Sequence, residues 1–144
     1  MKLLLLVSLV VGLFSSSQAG EVVLQVEKPW IFAVPPGAKD TAAFMTLVNP
    51  GTTPIRLTGG SSPAAGRVAP MITTKSDGRM GMQDVPAIEI PAGGRAVLKP
   101  GGDHLMIYDL KAPLKSGQTV QLTLTLEPGG PMIIEVPVSR LEPK

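Results

Sequence analysis

Four side chains in the middle of the chain are of types that bind soft metal ions: Met71, Met82, His104 and Met106. Their spacing is M-x10-M-x21-H-x-M. Three thioethers and one imidazole suit monovalent copper, because soft sulfur donors favour Cu(I) whereas Mg, Ca and Mn prefer oxygen. Zinc centres are built instead from thiolate, imidazole or carboxylate. The chain has no cysteine. That removes a disulfide framework, a thiolate metal site, a blue-copper centre with its cysteine ligand and a dinuclear copper centre with two.

Strand geometry explains how such a spacing could converge. His104 and Met106 are two residues apart, and on a β-strand residues i and i+2 share a face. Met80 and Met82 stand in the same relation. Between Met71 and Met82 lies the pair Asp77-Gly78, a strong signal for a two-residue hairpin turn. Folding back there brings Met71 close to the Met80–Met82 end of the returning strand. Spacing alone leaves open which of the two it faces, and whether Met80 is a further thioether ligand or a neighbour. Asp103 and Tyr108 are the candidates for orienting the second imidazole nitrogen. Met45 and Met132 sit inside alternating segments and are expected in the core. Lys75, Asp77 and Arg79 are expected at a solvated hairpin tip.

The segments that must hold these residues are short apolar runs, many alternating, over 22–26, 43–48, 55–58, 68–74, 79–85, 96–98, 104–110, 120–126 and 132–138. In the eighth, Val120, Leu122, Leu124 and Leu126 alternate with Gln121, Thr123 and Thr125, which assigns the former to a core face and the latter to water. Pro128-Gly129-Gly130-Pro131 then returns the chain as a hairpin. The pairs Gly93-Gly94, Gly101-Gly102 and Gly129-Gly130 fall where strands turn, which explains them without a phosphate ligand. Past the N-terminal apolar run there is no long helical pattern. The expectation is one all-β domain, an antiparallel Greek-key sandwich or barrel. Sixteen glycines and 15 prolines could accompany disorder, but 44% hydrophobic content and clean alternation call for a packed core.

At the N-terminus, Lys2 precedes an apolar run over 3–14, and Ser17 and Ala19 occupy the minus-three and minus-one positions of a cleavage site. The pattern is that of a secretory signal peptide over 1–19, followed by a β-domain over 20–144. The run is shorter than the roughly 20 apolar residues of a spanning helix. Lys2 is the only charged residue in 1–19, so its removal leaves 12 basic against 11 acidic side chains and a net charge of +1. That balance gives no support for a nucleic-acid partner. No Ser-His-Asp spacing, paired-carboxylate motif or phosphate loop is present, so no enzymatic activity is expected.

Trp30 with Pro35-Pro36-Gly37-Ala38, Phe44-Met45-Thr46-Leu47-Val48-Asn49, Ile90-Pro91-Ala92-Gly93-Gly94, Leu98-Lys99-Pro100-Gly101-Gly102 and His104-Leu105-Met106 closely resemble the periplasmic copper chaperones of the CuA-assembly type (PCuAC). The resemblance covers roughly residues 23–141, and the family motif H(M)-x10-M-x21-H-x-M is matched in all four positions. It implies a cupredoxin-like Greek-key fold, Cu(I) held by Met71, Met82, His104 and Met106, and a periplasmic or otherwise extracytoplasmic location. It also implies a monomer that delivers copper to the CuA subunit of cytochrome c oxidase or to a thiol-bearing assembly factor. In the family the first motif position is most often histidine. Met71 in its place tilts the site further toward Cu(I). Some relatives carry a His- and Met-rich tail, and without one here a second, Cu(II), site is not expected. Two other functions fit the same residues: copper sequestration for resistance, which shares the site, and a metal-independent β-sandwich interaction module whose methionines form an apolar contact patch.

Overall fold

A computed structural model describes residues 24–144, so the signal-peptide expectation lies outside the described residues. Ten strands follow one another: β1 (Gln25–Phe32), β2 (Thr41–Val48), β3 (Ile55–Ser61), β4 (Ala65–Ser76), β5 (Arg79–Asp84), β6 (Ile88–Ile90), β7 (Arg95–Leu98), β8 (His104–Leu110), β9 (Thr119–Glu127) and β10 (Gly130–Ser139). Seven of them run side by side in the order β4-β8-β2-β1-β10-β9-β3, and β3 pairs back onto β4 to close a barrel. The remaining three are appendages. β5 extends β4 as a hairpin, β6 pairs with β3 and β7 pairs with β2.

Period two in the sequence translates into burial where expected. Val120, Leu122, Leu124 and Leu126 of β9 are buried and Gln121 and Thr125 are exposed. These leucines meet Ile31, Met45, Leu47, Leu57, Leu105, Ile107 and Val136 in one continuous interior cluster. Met132 is half-buried against the same cluster. Closure depends on glycine at Gly60, opposite Val68 on one side and Leu124 on the other. A Cβ there would run into the backbone carbonyl of Thr123.

Three features depart from the sequence reading. Of the segment expected at 22–26, residues 25 and 26 fall in a strand that runs from Gln25 to Phe32. Its alternation is hidden because the register shifts between Glu27 and Trp30, where Lys28 has φ +48°; such a bulge resets the two-residue period. Strand β6 is only three residues long and closely flanked by Pro86 and Pro91. One pair is parallel rather than antiparallel: β1 lies beside β10, with Ile31 opposite Val138. No hairpin dictates direction between the first and last strands of the domain, since all the others lie between them.

Candidate metal centre

Strand β8 turns one row of side chains inward and one outward. Leu105 and Ile107 are buried in the barrel, so His104, Met106 and Tyr108 lie on its outer face. The imidazole of His104 is nevertheless only 3% exposed. Its Nδ1 lies 2.9 Å from the carbonyl oxygen of Gly102. A carbonyl can only accept, so Nδ1 donates to it, and in the neutral ring Nε2 is the nitrogen with a lone pair to offer. Among the described residues no buried side-chain nitrogen or oxygen lacks a partner. Among the described residues Nε2 has no hydrogen-bond partner, and His104 lines a cavity described below.

The partner of Nδ1 corrects the expectation about Asp103 and Tyr108. The turn from Lys99 to Asp103 is closed by Gly102 N–H donating to Lys99 O and Lys99 N–H donating to Asp103 O, with Gly101 at φ +78°. It presents the Gly102 carbonyl to the ring and sends the Asp103 carboxylate the other way. Asp103 Oδ1 accepts the backbone N–H of Thr73 at 3.1 Å, and Thr73 Oγ1 donates to Gly101 O at 3.4 Å. Asp103 therefore clamps the β4–β5 hairpin to the turn before β8. It does not orient the imidazole.

An aromatic wall backs the histidine. Trp30 pairs with Phe44 across β1–β2, with ring centroids 4.8 Å apart, and Phe44 lies 6.2 Å from the His104 ring. Trp30 and Phe44 are both buried although they lie on the outer face. The sequence held a signal for this: in Ala43-Phe44-Met45 both parities are apolar, as a strand covered on both sides requires. In front of the wall is a cavity of about 320 Å³ whose lining includes Phe32, Val34, Asp40, Phe44, Met82, His104 and Met106.

Met82 reaches that cavity because the hairpin forms as expected. Asp77 and Gly78 have φ +50° and +75°, the two positive values of a type I′ turn. Register then separates the two methionines that spacing could not. Thr73 pairs with Met82 and Lys75 with Met80, while Met71 itself lies opposite Asp84. Met82 is the diagonal neighbour of Met71, and Met80 is one step nearer the tip, outside the cavity lining. Lys75, Asp77 and Arg79 are exposed at that tip. On its other side Met71 lies directly opposite His104 across β4–β8. Its side chain is half-buried and does not line the cavity, and its Sδ lies 3.6 Å from the Tyr108 hydroxyl.

That hydroxyl donates its one proton to Asp84 Oδ1 at 3.2 Å, and Asp84 Oδ2 pairs with Arg67 at 3.7 Å. The Arg67 guanidinium stacks 4.1 Å from the centre of the Tyr108 ring. Desolvation and the hydrogen bond to Asp84 raise the phenol above its ordinary pKa, with Arg67 acting in the opposite sense. The structure thus brings Met82, His104 and Met106 onto one cavity and sets Met71 beside it.

The donor types gathered on the cavity are one imidazole and two thioethers, with a third thioether, Met71, opposite the imidazole in the ladder. The walls are mainly apolar, which penalises a divalent ion more than a monovalent one because the desolvation cost grows with the square of the charge. Among the described residues no cluster of three His, Asp or Glu offers a harder alternative.

The chain matches the family described as "Putative lipoprotein LpqE-like" over residues 24–138. It is 37% identical over 116 residues to "Putative lipoprotein Lxx21020" of Leifsonia xyli subsp. xyli, an alignment that covers 80% of this chain and 69% of that protein. Two similar solved structures are a copper-bound PCuAC domain from PmoF2 and CuI-DR1885 from Deinococcus radiodurans. The first aligns with a TM-score of 0.71 at 26% identity, over 83% of this chain and 96% of that one. The second aligns with a TM-score of 0.67 at 41% identity, over 88% and 83%. The chain belongs to the LpqE-like family, and its barrel is the cupredoxin-like Greek-key fold of the PCuAC domains.

Proposed function

We propose that this protein is an extracytoplasmic Cu(I) chaperone, which holds the ion with Met82, His104, Met106 and Met71 and releases it by ligand exchange to the CuA site of cytochrome c oxidase or to a thiol-bearing assembly factor. The observation that carries the reading is a mainly apolar cavity lined by His104, whose Nδ1 is engaged by the Gly102 carbonyl, together with the thioether residues Met82 and Met106. Soft donors in a low-dielectric pocket favour Cu(I). The similar structures named for bound copper support the metal, and the one named CuI-DR1885 supports its oxidation state. Relatives named as lipoproteins support a place in the cell envelope, although the 144 residues contain no cysteine that could take a lipid. A thiolate acceptor fits the direction of transfer, since it binds copper more tightly than neutral sulfur does. The decisive experiment mixes Cu(I)-loaded protein with the soluble CuA domain of the oxidase or with its thiol-bearing assembly factor. Copper moving to the acceptor supports the delivery reading. Loaded protein that keeps its copper in the presence of either acceptor sinks delivery and leaves a sequestration role.

A further inference from the structure

Met80 lies outside the cavity, and packing does not account for it. Its side chain is 68% exposed on β5, opposite the exposed Lys75 and one residue past the Asp77-Gly78-Arg79 tip. A large apolar side chain in that position gains nothing from burial. It is nonetheless on the same face as Met82, and two residues along a strand span roughly 7 Å. Methionine has three rotatable bonds beyond its Cα, so the two sulfurs can approach one ion in succession. Met82 is itself 59% exposed, yet it lines the His104 cavity. From the tip inward the soft donors are therefore Met80, then Met82, then His104 and Met106, in order of decreasing exposure.

The geometry points to Met80 as the entry and exit ligand, a transient thioether site at the hairpin tip that takes Cu(I) from its carrier and passes it to Met82. The inference rests on the copper reading above. Copper stays Cu(I) throughout, and no electron is transferred. A bond from Met80 Sδ to copper forms as the bond to the carrier's ligand breaks; Met82 Sδ binds next; His104 Nε2 and Met106 Sδ follow as Met80 dissociates. Thioethers bind without losing a proton, so the relay needs no base. A single neutral sulfur is a weak hold, which suits a step the ion must leave quickly, whereas the cavity retains it with several donors at once.

The test is stopped-flow exchange of Cu(I) with a chromogenic chelator, alongside equilibrium competition with the same chelator, for wild type, Met80→Leu and Met82→Leu. Leucine keeps the apolar volume and removes only the sulfur. Met80 and Met82 are both exposed, so the fold is retained, and circular dichroism checks it. Met80→Leu is expected to keep its equilibrium affinity within about twofold while loading and unloading both slow by roughly tenfold, because a step common to both directions is lost. Met82→Leu is expected to lower the affinity itself. A large affinity loss in Met80→Leu makes Met80 a permanent ligand, and unchanged rates make it a bystander. Either result overturns the inference and leaves the copper reading standing. Wild type that takes up no Cu(I) overturns both.

Discussion

Met71 and His104 are direct partners across the β4–β8 ladder, yet each sits against a different neighbour: Met71 Sδ lies 3.6 Å from the Tyr108 hydroxyl and His104 Nδ1 lies 2.9 Å from the Gly102 carbonyl. Residues opposite each other in an antiparallel pair have Cβ atoms about 5 Å apart, so the Met71 and His104 side chains leave neighbouring positions on one face. Register therefore places Met71 next to His104 on the same face of the ladder, although its side chain does not line the cavity.

Metal choice follows from the donor set. Under reducing conditions the protein is expected to bind one Cu(I) per chain, more tightly than Zn(II) or Cu(II), in competition against a chromogenic Cu(I) chelator. Equal or stronger Zn(II) binding would remove the basis of the proposed function, because a thioether-rich pocket has no preference for zinc.

The barrel should fold without metal. Its core is a continuous cluster that excludes the donor atoms of the cavity, unlike a zinc finger whose folding depends on the ion. Met106→Leu keeps side-chain volume and is expected to cost less than about 1.5 kcal/mol of stability while sharply weakening Cu(I) binding. Thermal melts of apo wild type and variant check the first part and chelator competition the second. An unfolded apo protein would contradict it.

Protons compete with copper for His104 Nε2 and not for thioether sulfur. Copper affinity is therefore expected to fall on acidification, with about one proton bound per copper released. His104→Met still offers soft donors and should lose most of this dependence. Identical profiles for the two proteins would mean that the imidazole is structural.

Asp103 should matter through the hairpin and not through the ring. Asp103→Ala removes the acceptor of the Thr73 N–H, freeing β5 and with it Met82. The expected signature is faster hydrogen exchange confined to β4–β5 together with weaker Cu(I) binding, at a stability cost on the order of 1–2 kcal/mol. Unchanged exchange at Thr73 would show that the ladder alone holds the hairpin.

Tyr108 is the only tyrosine, so its phenolate absorbance reports one site. Burial and Asp84 raise its folded-state pKa. The unfolded chain then loses this proton first as pH rises through about 10, and native stability declines above that point, having been fully present below it. Tyr108→Phe should abolish this alkaline decline. A midpoint at or below the free-phenol value would show that the Arg67 cation outweighs the other effects.

The donor types offered by the candidate site and most strand positions were legible in the sequence because both are local. Sulfur and imidazole are chosen residue by residue, the alternation along Val120–Leu126 is a two-residue period, and Asp77-Gly78 dictates its own turn through positive φ. Everything that depended on register or on distant partners needed the tertiary structure. Met80 and Met82 have the same periodicity and differ only because Met82 pairs with Thr73, whose amide is tied to Asp103. The bulge at Lys28 erased the alternation of β1, and its parallel pairing with β10 joins residues from opposite ends of the domain. The partner of His104 Nδ1 is a backbone carbonyl. Every residue carries such a group, so side-chain chemistry pointed to Asp103, and only the path of the turn could select Gly102.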